Sequence, residues 1–487
     1  MINNLGDIPV HEFRKRGHEL IDWIADYLAT NENYPVLSQV KPGEIKEKLP
    51  KHPPEDAESF LNIYDDVNNI IMPGITHWNH PGFMAYFNST GLAPGILAEI
   101  LTAGLSVNGM LWKSSPSATE LEEVTVNWMK EMLGLPENFW GIIYDTASTS
   151  TMHAIAASRE YASQFQFRSK GMSGRTDTKP LRLYASEHAH SSIAKGALTV
   201  GLGLEGIKYI STDENFSMKS GELRDAIEED IKNGIYPLCV VSTVGTTSTT
   251  SIDPLPEIGE ICKQHNIWLH VDAAHAGIAA ILPEQKNIFR GMEYADSLVV
   301  NPHKWMGIPM DLSLFYTKRK DVLKQAFSLS AEYLKTEQDS EVENYMDYGI
   351  QLGRRFRSLK LWFTIRRFGV TGIQKRVRHN IELARQVKTW IEESEIFQLM
   401  APVPFSTLCF RAEPNSIEEK YYNAFNERLM KNINETGKIF LSHTVLNGKF
   451  VIRIVISSFR MSEYHIRTAW DTINETCIST LENFANE

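Results

Sequence analysis

The sequence predicts an α/β fold: a mostly parallel sheet of seven strands, preceded by a helical N-terminal segment and followed by a smaller α+β domain. Three observations lead there. Between residues 141 and 317, short apolar runs alternate with stretches of helical periodicity, the pattern of a sheet covered by helices on both faces. Several of those runs, such as Leu298-Val299-Val300, show no polar alternation, as strands buried on both sides do. A chain of 487 residues also exceeds what one compact core holds, so a segment 1–85, a large unit 86–371 and a third unit 372–487 are expected.

Taken in order, residues 8–30 read as an amphipathic helix. Phe13, Leu20, Ile21, Ile24, Tyr27 and Leu28 recur at helical spacing, opposite Arg14, Lys15, Arg16 and Glu19. That face needs a partner, because residues 31–51 are polar, broken by Pro35, Pro42 and Pro50, and build no core. Residues 92–105 and 118–133 read as helices, the second opened by a serine cap and an acid within 115–120. Strands are expected at 141–146, 182–185, 207–210, 237–243, 267–272, 297–301 and 312–317. The last follows its predecessor too closely for a crossover helix, so it is expected to run antiparallel. Next come a helix at 318–326, a polar loop at 328–348 and a helix at 352–367. The third unit alternates a helix to 393, a strand at 406–411, a helix at 417–434, strands near 439–442 and 450–456, and a closing helix from 462.

The net charge of −11 and the lack of a basic stripe argue against nucleic acid as a partner. No apolar run reaches the roughly 18 residues of a membrane span, and no signal-peptide core is seen, so a cytoplasmic chain without membrane contact is expected. Cys239, Cys262, Cys409 and Cys477 are scattered, with no CxxC pair, and read as buried free thiols rather than disulfide or zinc ligands.

Chemistry collects where strands stop. Lys304 follows the run ending at Val300, and Asp272 closes the run Ile267-Trp268-Leu269-His270-Val271. Both fall at the carboxyl ends of strands, the edge where open α/β sheets bind ligands. A lone lysine after a strand is usually a solvated loop residue, but a lysine and a carboxylate facing one crevice are what pyridoxal phosphate chemistry requires. The amine condenses with the cofactor's aldehyde, and the acid keeps the pyridine nitrogen protonated. The first strand leads through Asp145-Thr146-Ala147-Ser148 into a helix whose start is either a simple hydroxyl cap or a phosphate site. His188 and His190 stand two apart without a third ligand, so no metal is expected.

The segments 74–87 (GITHWNHPGFMAYF), 115–122 (SPSATELE), 187–192 (EHAHSS), 242–253 (STVGTTSTTSID), 270–277 (HVDAAHAG), 301–305 (NPHKW) and 352–362 (LGRRFRSLKLW) carry a resemblance that runs nearly end to end. The sequence resembles the group II pyridoxal phosphate-dependent amino-acid decarboxylases, most closely the aromatic-L-amino-acid decarboxylase branch. That resemblance implies an aspartate aminotransferase-like fold (fold type I), pyridoxal 5'-phosphate as cofactor, a homodimer packed through the N-terminal segment, and decarboxylation of an L-amino acid, most simply an aromatic one. It assigns Lys304 to the cofactor's aldehyde, Asp272 to its ring nitrogen, His190 to stacking on the ring, Ala147, Ser148 and Asn301 to its phosphate, and Thr247 to contact with it. Trp78, Tyr86, Phe87 and Ser89 line the substrate pocket by the same match, and Asn108 and Met110 stand at wall positions held in animal relatives by an aliphatic and an aromatic residue.

A lid tyrosine that reprotonates the substrate's α-carbon is placed at Tyr345 by counting back from Leu352, with Tyr333 as the second choice and Tyr348 a poorer match. Asp145 departs from the glycine of many members, and an acid beside a phosphate is unfavourable unless its side chain turns away. Two enzymatic alternatives stand beside the aromatic decarboxylase: a decarboxylase of aspartate or glutamate, and an aldehyde synthase that couples decarboxylation to oxygen. The first is disfavoured by the segment HPGFMAYF. Members of the second type replace the lid tyrosine or the stacking histidine, so Tyr345 and His190 argue against it.

Overall fold

A computed structural model describes residues 7–329, 337–338 and 341–484. Seven strands form one sheet: β1 (Trp140–Tyr144), β2 (Leu181–Ser186), β3 (Ile207–Ile210), β4 (Tyr236–Thr243), β5 (Trp268–Asp272), β6 (Ser297–Val300) and β7 (Ser313–Thr317), in the order β1-β7-β6-β5-β4-β2-β3. β7 runs antiparallel to both of its neighbours, while β3, β2, β4, β5 and β6 pair in parallel. This is the mostly parallel α/β sheet the sequence predicts, with its antiparallel strand where the short connection requires one.

Alternate residues of each strand feed two cores. Tyr184, Val240, Leu269, Val271, Leu298 and Leu314 pack on one face with the helices Pro116–Leu133 and Leu255–His265. Leu183, Cys239, Val241, Trp268 and Phe315 pack on the other with the helices Ala147–Tyr161 and Ser192–Thr199. Burial on both faces explains why these strands read as unbroken apolar runs.

A second sheet, ordered β10-β11-β9-β8, is built from β8 (Phe397–Leu399), β9 (Thr407–Ala412), β10 (Ser442–Leu446) and β11 (Lys449–Val455). Residues 82–84 join this sheet: Met84 N–H donates to Phe440 O, Phe440 N–H to Gly82 O and Val455 N–H to Met84 O. A Cβ on Gly82 would stand 2.4 Å from Lys438 O, so the close approach needs glycine. The small sheet thereby fixes the segment that delivers Phe87.

The expected helices at 352–367 and 372–393 are one helix, Ser358–Glu392, bent at Gly369 (φ 64, ψ 168). It starts at Ser358 rather than 352 because Arg354 is committed elsewhere. Its Nη2 donates to Glu122 Oε1 (2.6 Å) and Ile143 O (2.8 Å), its Nη1 to Gly109 O (3.3 Å), and its own N–H to Asn108 Oδ1 (2.9 Å). Both members of the Arg354–Glu122 pair are buried. Removing one partner strands the other charge, so Arg354→Ala is expected to lower unfolding free energy by about 3–5 kcal/mol, read from denaturant melts. The hand-over of this helix from the large core to the small sheet falls between Ile381 and Leu383, beyond residue 371. The four cysteines are free and buried, and no helix among the described residues is long and apolar enough to cross a membrane.

Candidate active site

β5 and β6 are neighbours in register, with Asp272 opposite Val299, so the ends of both strands reach the same sheet edge. Asp272 is buried, and its Oδ1 accepts from Ala274 N–H (3.1 Å). Lys304 sits in the short helix Pro302–Trp305 directly after β6. Burial lowers its amine below the ordinary lysine pKa, and Asp272 opposes that shift. The two side chains are therefore brought together, as expected from their positions in the sequence.

His190 follows β2, and its Nδ1 accepts from Ser192 N–H (3.2 Å), which puts its ring proton on Nε2. Burial holds it below the usual histidine value, with Asp272 acting upward and Lys304 downward, so it stands within the field of both. Thr247 is exposed on the turn after β4. Gly245 in that turn has φ +89, and a Cβ there would meet Ala276 Cβ at 2.3 Å, so glycine lets the turn close onto the segment after Asp272.

The helix Ala147–Tyr161 begins just past β1 with no side-chain cap, leaving the N–H groups around Ala147 and Ser148 open at its positive end. Asp145 stands at this helix start and is bonded on both oxygens: Oδ1 accepts from Thr146 N–H (2.5 Å) and Oδ2 from Gln351 Nε2 (3.1 Å). Burial acts to raise its pKa, but these bonds, one from Thr149 and the charge of Arg357 outweigh it, and the group stays below the usual aspartate value. Asn301 is buried with its Oδ1 lacking a partner among the described residues.

Phe87 lies beside the amine, its ring centroid 5.3 Å from Lys304 Nζ and 3.7 Å from the parallel ring of His275. Trp78 and Tyr86 stack further out (6.1 Å, 20°), both largely exposed, and Ser89 is half-buried beside them in the chain.

Three expected residues are not brought to Lys304 within the chain. Asn108 is exposed, its Nδ2 3.6 Å from Met110 Sδ, and Met110 packs with Leu111 and Met346. Tyr345 is the clearer correction. It is 1% exposed, 6.1 Å from Trp140 and capped by the Arg354 guanidinium at 4.6 Å. Trp140 is level with Thr317 and Ser297, at the start of β6, whereas Lys304 lies past its end. Counting residues gave the distance along the chain but not the end of the sheet. Tyr348 is buried against the same Trp140 (4.5 Å), and Tyr333 lies outside the described residues.

Sequence reasoning missed three residues here. His303 Nδ1 accepts from Leu312 N–H (2.9 Å), and burial, then Lys304, lowers its pKa to about 4; its place beside the lysine was the available signal. His275 was read only as part of a motif. Arg453, in β11, donates to Ser248 O (2.9 Å), Thr247 O (2.6 Å) and Ser442 Oγ (3.0 Å), and its guanidinium stands 5.6 Å from the Phe87 ring. One cation inside the apolar run Val451-Ile452-Arg453-Ile454-Val455 was a visible cue that the third unit reaches the site.

A half-buried amine, a buried carboxylate, an uncapped helix start and a partnerless Asn301 oxygen suit a ring carrying an aldehyde, a basic nitrogen and a phosphate. The profile described as "Pyridoxal-dependent decarboxylase conserved domain" matches residues 42–413. The chain belongs to the pyridoxal-dependent decarboxylases. This decarboxylase is 39% identical to aromatic-L-amino-acid decarboxylase of Mus musculus (96% of this chain, 98% of that protein). It is 38% identical to phenylacetaldehyde synthase of Arabidopsis thaliana (95% of each). Its fold matches the crystal structure of Oryza sativa TDC with PLP and tryptamine at a TM-score of 0.94 and 31% identity, covering 98% of this chain and 99% of that one. The decarboxylase is thus a pyridoxal 5'-phosphate-dependent carboxy-lyase of the aspartate aminotransferase-like fold acting on an amino acid.

Proposed function

We propose that the enzyme converts an aromatic L-amino acid, of the Tyr, Dopa, Trp or Phe type, to its amine and carbon dioxide. The observation that carries this is Phe87 beside Lys304, with Trp78 and Tyr86 beyond, an aromatic wall at the reacting amine. An acidic substrate would need a free cation for its side chain. Among the described residues the cation near Phe87 besides Lys304 is Arg453, and its guanidinium is already shared among Ser248, Thr247 and Ser442. The names of the mouse and rice proteins support the aromatic reading.

In this reading Lys304 would hold the cofactor through its amine and carry protons at the site, a task suited to an amine whose pKa burial has lowered. Asp272 would keep the cofactor's ring nitrogen charged, and His190 would stack on its ring. Ala147, Ser148 and Asn301 would hold the phosphate, and Thr247 would lie against the cofactor. When bound, the cofactor supplies a sink for the electron pair left by the departing carboxylate.

The proton donor to the α-carbon passes from Tyr345, which is walled in, to Tyr333. Tyr333→Phe is expected to cut amine formation by about 10²-fold or more, while Tyr345→Phe keeps turnover near wild type. Rates of amine release check both. The discrimination against an aldehyde synthase then rests on Tyr333 and His190.

A homodimer completes the site. The helix Val10–Thr30 has no buried residue, and Leu97, Leu101 and Leu105 on the helix Ala93–Leu105 are exposed, apolar faces that a second copy would cover. Each chain then lends Asn108 and Met110 to the other's pocket, where the Asn108 amide suits a ring hydroxyl. Four free buried thiols fit a cytoplasmic enzyme. The test is a panel of Phe, Tyr, Trp, Dopa, Asp and Glu, with carbon dioxide and peroxide followed together. Aromatic substrates are expected to give carbon dioxide without peroxide; equimolar peroxide would make the enzyme an aldehyde synthase, and turnover confined to Asp or Glu would overturn the aromatic reading.

A further inference from the structure

His275 lies three residues past Asp272, in the turn that Gly245 presses upon. Its ring is clamped between Phe87 (centroids 3.7 Å apart, 8° between planes) and Trp305 (5.1 Å, 10°), the residue after Lys304. With both faces covered, only the edge of the imidazole is left to interact. That edge carries Nδ1 and Nε2, both buried and neither with a hydrogen-bond partner among the described residues. Burial, then the charges of Lys304 and Arg453, keeps the ring neutral, so it offers one N–H donor and one lone pair. A purely packing role would be filled at lower cost by an apolar side chain, since two stranded nitrogens are expensive to bury. The two neighbouring cations favour an anion at this spot.

We propose that the His275 edge donates a hydrogen bond to an anionic oxygen of the loaded site, either the α-carboxylate of the incoming amino acid or an oxygen of the cofactor. This makes His275 a binding residue of the reaction, and it rests on the proposed amino-acid site at Lys304. The stack fixes the donor direction in advance, so the oxygen meets a preset group rather than a mobile one.

The test uses the full-length enzyme. His275→Phe keeps a flat ring in the stack and deletes both nitrogens; His275→Gln returns an amide donor. Apoenzyme is titrated with pyridoxal phosphate by visible absorption, and the loaded enzyme with an α-methyl aromatic amino acid and with the methyl ester of the parent amino acid. A loss of about tenfold in pyridoxal phosphate affinity in His275→Phe would identify a cofactor oxygen. A similar loss for the α-methyl acid, with the ester unchanged, would identify the carboxylate. In either case His275→Gln is expected to recover part of the loss. Changes below about threefold in all three titrations would overturn the proposal; should His275→Phe fail to fold, the same threshold applied to His275→Leu decides. A wild-type enzyme that binds pyridoxal phosphate but no amino acid would instead refute the substrate reading, a result distinguishable from either.

Discussion

Lys304→Ala is expected to abolish turnover and the visible absorption of lysine-bound cofactor together. The residue does two jobs, anchoring the cofactor and moving protons, and each is worth about 10²-fold or more, so a combined loss of at least about 10⁴-fold is predicted. The fold should survive. Lys304 is half-buried at the end of β6, and the structure around it is held by Asn301, His303 and Trp305 through Ala274, Leu312 and Asn380. Circular dichroism and melting near wild type, with absorption and carbon dioxide release both gone, is the predicted combination. Full activity in the variant would refute the assignment.

The next largest effect is expected from Asp272→Asn. The substitution keeps the oxygen that accepts from Ala274 N–H, so the turn is retained, but it removes the negative charge. Without that charge the ring nitrogen of a bound cofactor would hold its proton less firmly, and the ring would be a weaker electron sink. A fall in kcat of about 10²–10³-fold is predicted, comparable to losing one preorganised electrostatic contact. The KM for the amino acid should move little, because the charge acts at the far end of the ring from the substrate. Steady-state kinetics separates the two; an unchanged kcat would place the carboxylate elsewhere.

The large sheet was legible in the sequence because its strands are buried on both faces and so lack polar alternation, from Val240-Val241 to Leu298-Val299-Val300. Lys304 and Asp272 were legible for a related reason: a strand's carboxyl end is marked by where the apolar run stops. What the sequence hid was three-dimensional. Leu352 to Arg357 has helical composition, yet bonds from Arg354 to Asn108, Gly109, Glu122 and Ile143 hold it out of the helix, and none of those partners is local. Tyr345 stood at a plausible count from Leu352, but the chain between them travels along the outside of β1, from the Trp140 end to Asp145, so the count carried no information about which edge the ring faces. His275 looked like one more letter of a strand-end motif, and only the rings on either side of it reveal an unused edge.

The most direct test asks which lysine carries the cofactor. Borohydride reduction of the loaded enzyme fixes the pyridoxyl group to that side chain, and peptide mass spectrometry locates it. The label is expected on the peptide containing Asn301-Pro302-His303-Lys304, and nowhere else in stoichiometric amount. A label on another lysine, or none on an enzyme that still releases carbon dioxide, would contradict it.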